Sequence, residues 1–154
     1  AMRRPSSFRV QVAAYPALFR SQRCWGYCLA SATASGAFFA FLGGASLVGE
    51  RVYGLSPVAL GIAFAAPAVG YMAGNFLSGR YAQRVGINRM MLAGALTTTG
   101  GLALLTALGA LGLAGPLAFF GLIMSVGLGN GILLPSANAG MLSVRPELAG
   151  SAAG

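Results

Sequence analysis

Residues 90–144 read MMLAGALTTTGGLALLTALGALGLAGPLAFFGLIMSVGLGNGILLPSANAGMLSV, and no side chain in this tract is charged. A hydrocarbon core about 30 Å thick is crossed by roughly 20 helical residues, so the tract has room for two transmembrane helices. The break between them is predicted at residues 109–116, where Gly weakens a helix and Pro116 suits a first helical turn. We therefore predict spans at 89–110 and 116–143.

The first half of the chain shows the same pattern of long uncharged tracts. Residues 24–49 and 52–79 are uncharged and bounded by charged side chains, which predicts spans at 22–48 and 56–79. These tracts are apolar on all sides, unlike the alternating segments of β-barrel strands. The sequence predicts an all-α membrane protein with a four-helix transmembrane region at 22–146, after a cytoplasmic loop segment at 1–21 and before the truncated start of a further helix at 147–154.

The composition excludes several classes of protein. Hydrophobic residues make up 56% of the chain and charged residues 8%, with a mean hydropathy of +0.75, which argues against a soluble domain. The chain has no His, Asp or Lys, and its two acids, Glu50 and Glu147, fall in predicted loops. No general base or metal-ligand cluster is available within the membrane, so we expect neither an enzyme nor a bound metal or cofactor.

The arginines define the expected topology. The net charge of +8 is spread over short Arg clusters between uncharged tracts, which is typical of membrane loops and argues against a nucleic-acid partner. Cytoplasmic loops are enriched in Arg, so both ends of the chain are expected in the cytoplasm and Arg51 outside. The abundance of Arg, Ala and Gly suggests a bacterial gene and hence the bacterial inner membrane. The arginines on the expected cytoplasmic side are Arg3, Arg4, Arg9, Arg20, Arg23, Arg80, Arg84, Arg89 and Arg145.

Polar residues cluster around a proline in the fourth span. Pro135 has no N–H, so the carbonyl of Gly131 loses its helical partner and the helix is expected to bend. Asn130, Ser136 and Asn138 surround this position and are predicted to line a substrate cavity. The alternative is that they only form hydrogen bonds between helices.

The first two spans offer further cavity residues. Pro67 is expected to weaken the second span by freeing the carbonyl of Ala63, while Tyr71 and Asn75 share a helix face. Phe38, Phe39 and Phe41 are expected to supply aromatic surface for an apolar ligand. The alternative is that they face lipid, and this must hold for at least one of them, because the three span most of the helix circumference.

Small residues recur at every fourth position and predict close helix packing, although a genome rich in Gly and Ala produces the same pattern. The stripes are Ala32, Gly36, Ala40 and Gly44 in span one, Ala66, Gly70, Gly74 and Ser78 in span two, and Gly127 with Gly131 in span four.

Three segments carry a family resemblance: VYGLSPVALGIAFA (52–65), SGRYAQRVGINR (78–89) and GLGNGILLPSANAGMLSVRPELAGSAAG (127–154). Together they resemble the major facilitator superfamily, and more narrowly drug/proton antiporters of the bicyclomycin and chloramphenicol resistance (Bcr/CflA) type. The middle segment resembles the superfamily's cytoplasmic loop motif, with Gln83 in place of an aspartate, so a salt-bridge gate is doubtful here. The matching residues are Gly79, Arg80, Arg84, Gly86 and Arg89.

The resemblance implies that the four spans are helices seven to ten of a twelve-helix fold. The first and fourth would face the central cavity, the second would flank it and the third would lie outermost. It also implies export of small amphipathic compounds or drugs by proton antiport, with alternating access. The proton-binding acid would lie in the missing N-terminal half. Two alternatives remain open: a four-helix structural or interaction module without transport, and a major facilitator carrier of a metabolite.

The expected topology predicts a labelling pattern in the full-length protein. Because Arg51 is expected outside and Arg84 inside, Arg51→Cys should react with an impermeant maleimide on intact cells, and Arg84→Cys only after permeabilisation. Replacement of Cys24 and Cys28 by Ser provides the background. The reverse pattern would overturn the topology.

Overall fold

The structure is a computed structural model that describes residues 20–144, all of whose regular elements are helical. Four stretches within this range are long and apolar enough to cross a membrane. This confirms the predicted all-α class with four transmembrane helices. The elements are α1 (Gln22–Leu47) with a π-helical turn at Val48–Val52, α2 (Pro57–Ala63), α3 (Ala65–Val85), α4 (Ile87–Ala110) and α5 (Pro116–Val144).

Serine side chains cap the helices that open the first two spans. Ser21 Oγ accepts a hydrogen bond from the Cys24 N–H at 3.4 Å, and Ser56 Oγ accepts one from the Ala59 N–H at 3.3 Å. Such caps satisfy backbone donors that have no partner inside the helix. The loop expected at residues 1–21, except for its last two residues, and the further helix expected at 147–154 lie outside the described residues.

The link between the second and third spans is shorter than expected. We predicted a loop after residue 79, but α3 continues to Val85, so Arg80 and Arg84 are helical. Gly86 alone, at a φ of 94°, reverses the chain before α4 begins. This conformation suits Gly because it has no Cβ. Arg84 lies in the last turn of α3, where the helix dipole favours a cation.

The two prolines within spans have different surroundings. The second span is interrupted at Phe64, between α2 and α3, just before Pro67. Since Pro67 has no N–H, the carbonyl of Ala63 has no donor four residues later. By contrast, α5 continues through Pro135 without interruption.

The last helix is the centre of the bundle, because α5 packs against α1, α3 and α4. In the most apolar 18-residue stretch of α5, 50% of the residues are buried, compared with 6% in the corresponding stretch of α4. Ala137 is fully buried, and Val126 is 1% exposed. The helices α1, α3 and α4 therefore form a layer around α5.

Glycines bring α3 and α5 into close contact. A Cβ added to Gly74 would clash with the backbone of α5 at Leu128 and would lie 2.9 Å from Gly131 Cα. Gly70 meets the backbone of Met124 in the same way, one turn earlier. Backbones that approach this closely replace the hydrophobic driving force that is missing between helices in lipid.

The small-residue stripe of α1 has a different environment. Ala32, Gly36, Ala40 and Gly44 are all exposed, and an added Cβ on Gly36 or Gly44 would have no neighbour within 4 Å among the described residues. In the stripe of the second span, by contrast, Gly70, Gly74 and Ser78 are buried against α5.

The glycine contacts predict a matched pair of effects in α4. A Cβ on Gly94 would lie 2.6 Å from Gly129 O, whereas one on Gly100 would have no neighbour within 4 Å. Gly94→Ala should therefore destabilise the detergent-purified protein by about 1–3 kcal/mol through overpacking. Gly100→Ala should not lower the unfolding midpoint, because Ala favours a helix. Equal midpoints for the two variants would contradict this packing.

Candidate functional site

A cleft of about 370 Å³ opens between α1, α3 and α5. We name it the aromatic cleft. Its volume lies within the roughly 300–1,000 Å³ range of small-molecule sites. Its lining residues are Ser35, Phe38 and Phe39 from α1, Ala68, Tyr71 and Met72 from α3, and Asn130 and Leu134 from α5.

Helical spacing explains why these residues meet. On α1 and α3 the lining residues follow an i, i+3, i+4 pattern, and Asn130 and Leu134 are four residues apart on α5. Positions with this spacing share a helix face. The glycine contacts between α3 and α5 fix the position of Tyr71, because Gly131 packs against the Tyr71 backbone.

Asn130 is the most buried polar side chain of the cleft, with 2% of its surface exposed. Its Nδ2 donates a hydrogen bond to Ala34 O of α1 at 3.0 Å. Its Oδ1 is shielded from solvent and has no hydrogen-bond partner among residues 20–144. The amide thus links α5 to α1 and keeps one free acceptor.

The structure brings together four of the residues predicted to line a cavity, Phe38, Phe39, Tyr71 and Asn130, and places the other polar candidates elsewhere. Ser136 is 1% exposed; its Oγ lies 3.2 Å from Ser78 Oγ and donates to Ile132 O at 2.9 Å. Asn75 Nδ2 donates to Tyr71 O within α3 at 2.9 Å. Asn138 is exposed and does not line the cleft.

Phe41 also lies outside the aromatic cleft. It is 9% exposed and packs in a hydrophobic cluster with rings from α5 and from the break at Phe64. Its ring centroid lies 5.8 Å from that of Phe64 and 6.5 Å from that of Phe120. In this position Phe41 is a packing residue and does not line the aromatic cleft.

A second cavity, of about 690 Å³, lies where α3 joins α4. Tyr27 of α1 donates a hydrogen bond from its hydroxyl to Asn88 Oδ1 at 2.8 Å, so α1 is tied to the first turn of α4 here. Gly86 and Arg89 of the loop motif line this cavity, together with Gln83. Gln83 is exposed, so the amide that replaces the motif's acid faces outward.

The chemistry of the aromatic cleft is that of a neutral binding surface. None of its lining residues is charged, and aromatic rings form much of its wall. No group of His, Cys, Asp or Glu suited to a metal ion occurs among the described residues. The arrangement offers aromatic stacking and hydrogen bonding.

Sequence reasoning missed Ser35, Ala68, Met72 and Leu134, which also line the cleft. Helical spacing was the available signal, because Ser35 and Ala68 lie three positions before Phe38 and Tyr71, Leu134 lies four after Asn130, and Met72 lies four after Ala68. Phe39 is 67% exposed and Met72 71%, so both lie at its open edge.

Comparison with known proteins identifies the family. The sequence model described as Major Facilitator Superfamily matches residues 2–154, which is nearly the whole chain. Searches of curated proteins and of solved structures found no match. The four membrane-crossing helices agree with the family match. The chain belongs to the Major Facilitator Superfamily, a family of membrane transporters and not of enzymes.

Proposed function

We propose that this chain contributes helices seven to ten of a twelve-helix bacterial inner-membrane exporter, which moves small amphipathic compounds outward in exchange for protons. The observation that carries this proposal is the aromatic cleft, because it presents Phe38, Phe39 and Tyr71 together with one buried amide and no charge. An apolar body with a small polar group complements such a surface. In the proposed orientation, both ends of the chain lie in the cytoplasm.

The position of the cleft supports a binding site at the boundary between two helix bundles that move against each other. Its edge residues Phe39, Tyr71 and Met72 are exposed on the bundle, so a second helix bundle facing them would close the cleft. Major facilitator carriers bind substrate between two bundles that rock around a central site. The small-residue contacts between α3 and α5 let this bundle move as a unit.

Proton coupling requires a group that this part of the chain does not offer inside the membrane. Among residues 20–144 the only acid is Glu50, which is exposed in the π-helical turn at the end of the first span. Acids that accept protons in carriers lie within spans and face an interior cavity. We therefore assign the proton-accepting carboxylate to the N-terminal half of the carrier.

The aromatic wall predicts a selective loss of affinity. Phe38→Ala and Tyr71→Ala in the full-length protein should each weaken the apparent affinity for an exported lipophilic dye by about 1 kcal/mol, roughly fivefold, because a stacking surface is lost. The matched control is Phe76→Ala on α3, whose ring is 68% exposed and does not line the cleft. Dye efflux from cells with equal membrane amounts of each variant is the measurement. Equal efflux from all three would remove the cleft from the transport path.

Proton antiport predicts the driving force. In proteoliposomes, a transmembrane pH gradient should drive dye transport against its concentration gradient, and a protonophore should abolish this accumulation. The same test on Phe38→Ala should show lower affinity but the same dependence on the gradient, since the proposed proton site lies outside this chain. Accumulation that persists after the pH gradient is dissipated would contradict antiport.

A further inference from the structure

Three buried side-chain oxygens lack a hydrogen-bond partner among residues 20–144: Ser31 Oγ, Thr98 Oγ1 and Asn130 Oδ1. The first two are hydroxyls, which rotate and both donate and accept. An amide oxygen only accepts, so it depends on a donor brought to it. Of the three residues, Asn130 alone lines the aromatic cleft.

The orientation of the Asn130 amide follows from its partner. Ala34 O is a carbonyl and therefore only accepts, so the amide group that lies 3.0 Å from it must be Nδ2. The alternative amide orientation would place two acceptors against each other. The Asn130 side-chain atom without a partner is thus Oδ1, which is an acceptor and not a donor.

An unpaired acceptor in this position is costly. A buried polar group without a hydrogen bond loses its hydration and gains nothing in return. Asn130 is 2% exposed, and the cleft around it is lined by apolar and aromatic side chains apart from Ser35 and Tyr71. A ligand that brings a donor to Oδ1 recovers the missing hydrogen bond, whereas a ligand without a donor leaves the oxygen unpaired.

We infer that the aromatic cleft selects aromatic amphipathic compounds that carry an N–H or O–H donor, and that Asn130 Oδ1 accepts the hydrogen bond. This inference rests on the proposed export function and names its substrate class. Donor-bearing nitrogens are favoured further when they share a positive charge, because the faces of Phe38, Phe39 and Tyr71 attract cations. An anionic group would find no cationic partner among the lining side chains of the cleft.

A matched pair of dyes tests the inference in the full-length transporter. The probes are a cationic rhodamine ethyl ester with secondary N–H groups and its counterpart with N,N-dialkyl groups, which has the same ring system and charge but no donor. The wild-type protein should export the N–H dye with an apparent affinity about fivefold higher. Asn130→Leu and Asn130→Ala should remove this preference by weakening export of the N–H dye alone.

Ser78→Ala provides the structural control. Ser78 is 2% exposed and its Oγ pairs with that of Ser136, so its loss removes a buried contact between α3 and α5 outside the cleft. This variant should keep the wild-type preference for the N–H dye. A structural role for Asn130, through its bond to Ala34 O, would weaken export of both dyes equally and not change their ratio.

The outcomes separate the inference from the function on which it rests. If the wild-type protein exports both dyes with equal affinity, the inference is wrong, while the export function stands. A preference that survives in both Asn130 variants also overturns it. If neither dye is exported, the proposed function and the inference fail together. The comparison of the two dyes on the wild-type protein needs no variant.

Discussion

The close approach of α3 and α5 is the contact on which the rest of the bundle depends. In lipid, apolar side chains gain little by packing against one another, so helices associate where their backbones come close. Gly70 and Gly74 allow this on α3, and Gly127 and Gly131 allow it on α5. Larger side chains at these positions would separate the helices and move Tyr71 away from Asn130. The cleft is therefore a consequence of glycine packing beside its wall, since Gly70 adjoins Tyr71 and Gly131 adjoins Asn130.

The polar groups of α5 show how a membrane helix uses its few hydrogen bonds. Ser136 Oγ pairs with Ser78 Oγ of α3, and Asn130 Nδ2 donates to Ala34 O of α1. Both contacts hold neighbours to the central helix. Buried polar atoms that are satisfied in this way stabilise the bundle and are not free for a ligand. Only a buried polar side-chain atom without such a partner can take a further hydrogen bond, and on the described part of α5 that atom is Asn130 Oδ1.

The number and order of the spans could be predicted from the sequence because charged residues bound each uncharged tract. The continuation of α3 to Val85 could not be predicted in this way. A charged residue marks the end of an apolar tract but not the end of a helix, and Arg80 and Arg84 remain helical beyond the tract. Nor could the sequence distinguish the residues that line the cleft from those that only pack between helices. The same small-residue spacing is buried in α3 and exposed in α1, and the outcome depends on partner helices that lie far away in the sequence. Phe38 and Phe41 likewise lie one turn apart, yet only Phe38 reaches the cleft.

The Asn130 amide connects the proposed binding site to the arrangement of the helices. Its amide is planar, so Nδ2 and Oδ1 cannot move independently. A donor that pulls Oδ1 toward the cleft therefore also turns Nδ2 relative to Ala34 O, and with it the contact between α1 and α5. Since α1 carries Phe38 and Phe39, this contact joins Asn130 to the helix that supplies part of the aromatic wall. Under the proposed function, recognition of the ligand and the fit of the cleft around it are thus linked through one side chain, without any charged side chain in the lining of the cleft.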